Sequence, residues 1–155
     1  MTGFAETFSQ YVVQLEPNGG SENPESNSDV QSVLFLTSGS AKLKVNSESH
    51  ILTSGSYAYI PAGSEWSIWN NSSETTNFHW IRKVYKDVKG IERPTAFVKN
   101  ETECEDVEMP NSNSTWFTKR FVDGNDIRHD MHVNIVTFQP GLSLIHISEP
   151  TRHLL

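Results

Sequence analysis

Apolar and polar residues alternate along this chain in short bursts, and before Lys86 they never settle into the three-to-four-residue spacing of an amphipathic helix. Residues 11–15, YVVQL, make a short alternating segment. Residues 17–29 mix Gly, Pro, Ser and Asn and read as an irregular loop. Residues 33–37 are apolar with β-branched and aromatic members, the composition of a buried strand. Ser38-Gly39 turns the chain into residues 41–45, AKLKV, whose period of two marks a strand with one wet face. After a turn at 46–49 the chain returns through residues 50–52 and bends again at Gly55. Residues 57–60 form another strand, stopped by Pro61, which lacks a backbone donor, and by Gly63, which tolerates turn dihedrals. Residues 66–69 and 78–85 supply the last strands of this unit. Six or more short strands with close turns predict a sandwich or barrel.

Residues 87–115 break the rhythm. They carry Pro94, Pro110 and an acidic run at 101–108, with no steady apolar period, and read as a linker that packs on the surface. Strand signal resumes at 116–122 and at 131–138, with Gln139-Pro140-Gly141 as the stop. The polar stretch 123–130 between them has room for one helical turn. The expected organisation is a first barrel over 8–86, a linker over 87–115 and the start of a second barrel over 116–141.

Composition removes several function classes. Nineteen Asp and Glu against 12 Lys and Arg give a formal charge of -7, and no basic cluster offers a nucleic-acid surface. No apolar run approaches the roughly 20 residues of a membrane-spanning helix. The start, MTGFAETFSQ, lacks the basic end and apolar core of a secretion signal, which points to the cytoplasm. Cys104 is the single cysteine, so an internal disulfide framework and a multi-cysteine zinc site are both excluded. Its acidic neighbours disfavour the thiolate, and it makes a poor nucleophile. A serine-hydrolase elbow, a glycine-rich nucleotide loop and a zincin motif are absent. Sequons at Asn70, Asn71, Asn100 and Asn113 read as chance matches without a leader.

Within GSYAYIPAGSEWSIWN, the positions of Gly55, Pro61, Gly63 and Asn70 carry a family resemblance. Their spacing resembles the second motif of the cupin superfamily, G-x5-P-x-G-x2-H-x3-N, with Trp66 at the histidine position. VLFLTSGSAKLKV resembles the end of the first cupin motif, whose glycine is Gly39. The resemblance implies an all-β fold, the cupin (RmlC-like jelly roll) β-barrel. A cupin metal site takes two histidines and a glutamate from the first motif and a histidine from the second, a set suited to Mn, Fe, Ni or Zn. Here the glutamate position falls on Ser32, the two histidine positions fall within 25–28, and the last is Trp66. The resemblance therefore implies a barrel that binds no metal by that route. His50 and His79, on separate strands, read as surface or packing groups. Trp66 and Trp69 are expected to fill space, with a small ligand pocket lined by Trp66 as the alternative.

From residue 10 to residue 141 the chain resembles the (S)-ureidoglycine aminohydrolase family. The matching segments are VLFLTSG, GSYAYIPAG, FHWIRKVY, RPTAFVKNE and RFVDGNDIRHDMHVNIVTFQPG. The resemblance implies a bicupin, first barrel plus the opening strands of the second. It implies a metal-free first barrel and a second barrel that holds manganese. The implied reaction is hydrolysis of (S)-ureidoglycine to (S)-ureidoglycolate and ammonia, in the allantoin branch of purine catabolism. A small polar ureido substrate and a homo-oligomer are implied with it. The ligand segment of the family follows the strand matching 132–138 and has no counterpart here. No catalytic, cofactor-binding or metal residue is assigned to this chain, and the chain as written is expected to be inactive. The rival reading is a non-catalytic cupin module, with Trp66, Trp69, Tyr57 and Tyr59 lining a small-molecule pocket or an oligomer interface.

His129 and His132, with Asp126 and Asp130 nearby, present an H-x-x-H spacing. A helix would place both histidines on one face. A strand from Met131 would instead point His132, Asn134, Val136 and Phe138 one way and Val133, Ile135 and Thr137 the other. These polar residues are expected to support the barrel entrance or the domain interface, with metal binding as the alternative. An ion pair from Arg128 to Asp123 or Asp126 is expected beside them. After Gly141 the resemblance stops, and LSLIHISEPTR reads codon for codon like a sequencing-library adapter. Residues 142–155 are expected to be a non-native tail, and Met1 is a candidate internal start. In-frame genomic codons joining QPG to LSLIHISEPTR would overturn the adapter reading.

Overall fold

A computed structural model describes residues 8–141 and the backbone of a short strand at Arg152–Leu154. The chain divides into two units, Met1–Asn100 and Glu101–Leu155. The first is built from β1 (Ser9–Leu15), β2 (Gly20–Ser21), β3 (Val30–Ser38), β4 (Ser40–Val45), β5 (Glu48–Thr53), β6 (Ser56–Ile60), β7 (Trp66–Trp69), β8 (Thr76–Val84) and β9 (Phe97–Asn100). A five-stranded sheet runs in the order β1-β8-β3-β6-β9, and a four-stranded sheet in the order β2-β7-β4-β5. Every pairing is antiparallel. The strand pattern predicts such a sandwich, and the arrangement is the jelly roll that the cupin resemblance implies.

Alternation decides which side chains enter the barrel. On β4, Ala41, Leu43 and Val45 are buried while Lys42 and Lys44 face water. On β7, Trp66 and Ile68 point inward. With Leu34, Leu36, Ile60 and Phe78 they make one continuous apolar cluster. Burying such side chains contributes about 1.5–3 kcal/mol each, which holds the two sheets together.

The five-stranded sheet is buried on its other face as well. There Tyr57 stacks on Phe97 with centroids 5.7 Å apart, and Tyr59 meets the same ring edge-on at 6.0 Å. The Tyr59 hydroxyl donates to Oε1 of Gln31 at 2.7 Å. Tyr57 and Tyr59 thus face away from Trp66, because Ala58 and Ile60 take the inward positions of the same strand. Trp69 lies on a third face, outside the four-stranded sheet, beside Lys42 across β4. The four aromatics of the binding-module reading share no pocket.

Two tight features fix the connections. Gly39 has φ +82, and a Cβ there would lie 2.5 Å from Oγ1 of Thr76, so only glycine fits between β3 and β4. Asn70 is completely buried. Its Nδ2 donates to the carbonyls of Leu15 (3.0 Å) and Glu74 (2.7 Å), and its Oδ1 accepts from the backbone N–H (3.0 Å) and hydroxyl (2.7 Å) of Ser72. One amide therefore ties the end of β1 to the turn that follows β7. The same bonds withdraw Asn70 from glycosylation in the folded protein.

Part of the expected linker is strand. Phe97–Asn100 adds to β6 as β9 and belongs to the first unit. The physical reason is tertiary: Phe97 fills the space between Tyr57 and Tyr59.

The second unit holds β10 (Val107–Glu108), β11 (Trp116–Arg120), β12 (Asn134–Phe138) and β13 (Arg152–Leu154) in one sheet of that order. Trp116 stacks on Phe138 at 5.7 Å. β12 starts at Asn134 rather than Met131, which leaves exposed His132 outside the strand. Residues 123–130 are turns, not a helical turn. Side-chain oxygens of Asp123 and Asp126 accept the backbone N–H of Asn125 and Arg128, a local pattern that competes with helix. The expected adapter-derived tail, 142–155, lies outside the described residues except for the backbone of β13.

Asn70→Ala should destabilise the protein by about 2–3 kcal/mol, because buried carbonyls lose their donor. Asn71→Ala, at an exposed position, should stay within about 0.5 kcal/mol of the parent. Urea midpoints of the two variants measure the difference.

Candidate functional site

The positions where the cupin motifs place metal ligands do converge, and they converge on an indole. Ser32 sits on β3, fully buried, and its Oγ accepts a hydrogen bond from Nε1 of Trp80 at 3.0 Å. Trp66 enters from β7 and meets the Trp80 ring edge-on, centroids 5.7 Å apart and planes at 84°. The guanidinium of Arg82 lies 5.3 Å from the Trp80 centroid, and Tyr11 of β1 leans on the same ring at 5.8 Å. Trp80 and Arg82 are two residues apart on β8 and project to one side.

Glu25, from the stretch where the two histidines belong, reaches Arg82. Arg82 Nη2 donates to Glu25 Oε1 at 2.7 Å and Nε donates to Oε2 at 2.5 Å, a bidentate pair. The Glu25 side chain is 6% exposed, so water does little to weaken the attraction. Oε1 also accepts the backbone N–H of Asn27 at 3.1 Å. Burial alone would raise the pKa of Glu25. The Arg82 hydrogen bond, the Asn27 and Ser26 backbone and the Arg82 charge outweigh it and hold the carboxyl below its ordinary value. The hydrogen bond to Glu25 likewise raises Arg82 against the opposing effect of burial.

This donor set does not fit a divalent cation. Ser32 is committed to an indole N–H, Trp66 has no lone pair to offer, and the Glu25 carboxylate is neutralised by arginine. Nor does it contain a free general base. What it does chemically is hold: a cation–π contact and an ion pair fasten the 22–29 loop to the sheet.

The remaining candidates stand apart from one another. His50 Nε2 lies 3.9 Å from Glu48, and His79 Nδ1 lies 3.2 Å from Nε2 of Gln10. Trp69 donates from Nε1 to Glu22 at 3.0 Å. His129 is nearly buried, and that burial lowers its pKa while Asp126, 4.0 Å away, opposes the shift. Arg128 chooses Asp126 rather than Asp123, with Nε and Nη2 donating at 2.9 and 2.7 Å, and holds that carboxyl well below its ordinary range. His129 and His132 do not share a strand face. Among the described residues no group of three or more His, Cys, Asp or Glu side chains is arranged to hold a metal.

The ion pair has a pH signature. Glu25 has a folded pKa below its unfolded one, so its contribution is present above the unfolded value and is lost as pH falls through the folded value. Glu25→Gln should cost about 1–3 kcal/mol in urea unfolding at neutral pH. The gap between variant and parent should close as the pH is lowered through the acid range. A gap that stays constant with pH would assign the loss to shape rather than charge.

Residues 11–82 match the family model described as "Cupin domain". The chain is 26% identical over 137 residues to (S)-ureidoglycine aminohydrolase of Escherichia coli, covering 88% of this chain and 51% of that protein. It superposes with TM-score 0.87 and 48% identity on a Pseudomonas aeruginosa crystal structure described as "Putative Glyoxylate Induced Protein", over 91% of this chain and 53% of the other. Protein Ylba from E. coli gives TM-score 0.78 and 25% identity, over 92% of this chain and 55% of that one. The chain spans about half the length of the curated relative it matches. Residues 11–82 are thus a cupin domain, within a chain that is similar over most of its length to (S)-ureidoglycine aminohydrolase.

Proposed function

We propose that the first unit is the non-catalytic barrel of a two-barrel, manganese-dependent (S)-ureidoglycine aminohydrolase acting in purine catabolism through allantoin. The observation that carries this reading is the pairing of two facts. Similarity to the aminohydrolase runs along 88% of the chain, yet the ligand positions of the barrel it covers hold Ser32 and Trp66. In this reading residues 116–141 open a second barrel, which carries the metal and binds the small ureido substrate. Manganese would supply an electrophile and a template at the carbon bearing the amine. Water then forms the new C–O bond, the C–N bond breaks, and the departing nitrogen takes up a proton and leaves as ammonia. A homo-oligomer in the cytoplasm belongs to the same reading. Among the described residues no helix is long and apolar enough to cross a membrane.

The side chains that fill the barrel favour a scaffolding role for this unit over small-molecule binding. Leu34, Leu43, Leu52 and Trp66 take up the interior that a ligand would need.

Two proteins test the proposal. One is the 155-residue chain, and the other is the product read onward from Gly141 in genomic DNA. With manganese and (S)-ureidoglycine, the longer protein should release ammonia and retain stoichiometric metal, and the chain as written should do neither. Ammonia release and bound manganese in the 155-residue chain, or neither in the longer one, would overturn the assignment.

A further inference from the structure

The outer face of the four-stranded sheet carries a cleft of about 390 Å³, on the opposite side of the sheet from the filled barrel interior. Glu22, Lys42, Lys44, Ser67, Trp69 and Asn71 line it. Strand register builds it. Trp69 of β7 stands opposite Lys42 of β4, and Ser67 opposite Lys44. All four take outward positions, because Trp66, Ile68, Leu43 and Val45 take the inward ones on the same strands. A strand rises about 3.4 Å per residue, so the Ser67–Lys44 row lies about 7 Å along the sheet from the Trp69–Lys42 row.

The indole is fixed before anything binds. Gly20 of β2 stands opposite Trp69. A Cβ on Gly20 would come within 2.7 Å of Trp69 Cε3, so the ring lies over bare backbone. Trp69 Nε1 donates to Glu22 Oε1 at 3.0 Å, which anchors the ring edge. The two ammoniums, by contrast, are uncommitted. Arg82, Arg93, Lys119 and Arg128 each face a carboxylate. Acidic residues outnumber basic ones in this chain, 19 to 12. Yet neither Lys42 nor Lys44 has a side-chain hydrogen bond or ion pair among the described residues.

We propose that this cleft binds a small aromatic monocarboxylate, its ring against Trp69 and its carboxylate between Lys42, Lys44 and the Ser67 hydroxyl. Charge selects a monoanion: two ammoniums against the Glu22 carboxylate leave one positive charge to balance. The immobilised indole offers a flat partner an offset-stacking surface. A ring lying there places its carboxylate toward the Ser67–Lys44 row, within reach of both lysine stems. Ligand clefts span about 300–1,000 Å³, and this one, at the small end, suits a single ring. No arginine fork or helix N-terminus lines it to recognise phosphate. The site lies outside the barrel, so it stands whether or not the parent protein is an aminohydrolase. Both lysines are exposed, so binding should be weak, in the millimolar range, and sensitive to salt.

Titration of the full chain with benzoate, followed by NMR, provides the test. The Trp69 indole N–H signal is identified by its loss in Trp69→Phe. Benzoate should shift that signal saturably, and added salt should weaken the effect. Lys42→Ala/Lys44→Ala should raise the Kd about tenfold with circular dichroism unchanged, since both positions are exposed. Lys86→Ala/Lys89→Ala removes the same charge elsewhere on the surface and should leave the Kd unchanged. Benzamide keeps the ring without the charge, and acetate keeps the charge without the ring. Each should bind at least about tenfold more weakly than benzoate. The absence of a saturable shift would overturn the proposal. So would benzamide or acetate binding as well as benzoate, or a Lys42/Lys44 variant that binds like the parent. Equal losses in the two double variants would reduce the effect to net charge and overturn it too.

Discussion

The hydrogen bond from the Trp80 indole to Ser32 is the contact on which the mouth of this barrel depends. It fixes the plane of the largest side chain on β8. That plane gives Trp66 a face to meet and gives Arg82 an aromatic surface to lie against. Arg82, so placed, can reach Glu25 and hold the loop that crosses from β2 to β3. A metal cupin closes the same region with a cation and four ligands. Here the closing charges are both carried by side chains, and the space between them is aromatic carbon. Such a mouth needs no ion to be complete, and it leaves no coordination position through which a substrate could be activated.

That packing explains how a jelly roll can close this region with side chains alone. A jelly roll is stabilised by its two buried faces, not by the metal, so losing the ligands costs little if the vacated volume is refilled. Trp66 refills it at the position of a histidine. The neighbouring motif residues keep their older duties. Gly39 still allows close approach to Thr76, and Asn70 still satisfies the buried backbone around its turn. The motif survives because its glycines and asparagine shape the chain, while its ligands serve a different purpose.

Much of this fold was legible in the sequence. The strands from 11 to 85 announce themselves by alternation and by glycine and proline stops, and the structure follows them closely. β9 was hidden because four residues give no period, and Phe97 is a strand residue only by virtue of Tyr57 and Tyr59 beside it. The start of β12 was misplaced because the alternation begins at Met131, three residues before the strand pairing does. The cluster at the mouth was half legible. Ser32 and Trp66 follow from motif spacing, but Trp80 and Arg82 do not, because FHWIRK shows no clean apolar alternation and an arginine on the inward side runs against it. The Glu25–Arg82 pair was not available, since it joins residues 57 apart in sequence through a loop without regular structure.

The perpendicular Trp66–Trp80 pair also gives the first unit an optical identity. Two indoles at 5.7 Å and 84° couple their electronic transitions, and the coupling exists only while β7 and β8 face each other across the closed barrel. A far-ultraviolet exciton couplet from this pair would therefore report closure of the sandwich itself. A third indole, Trp69, sits outside the sheet and answers to solvent instead. The side chains that fill the interior thus also report on it.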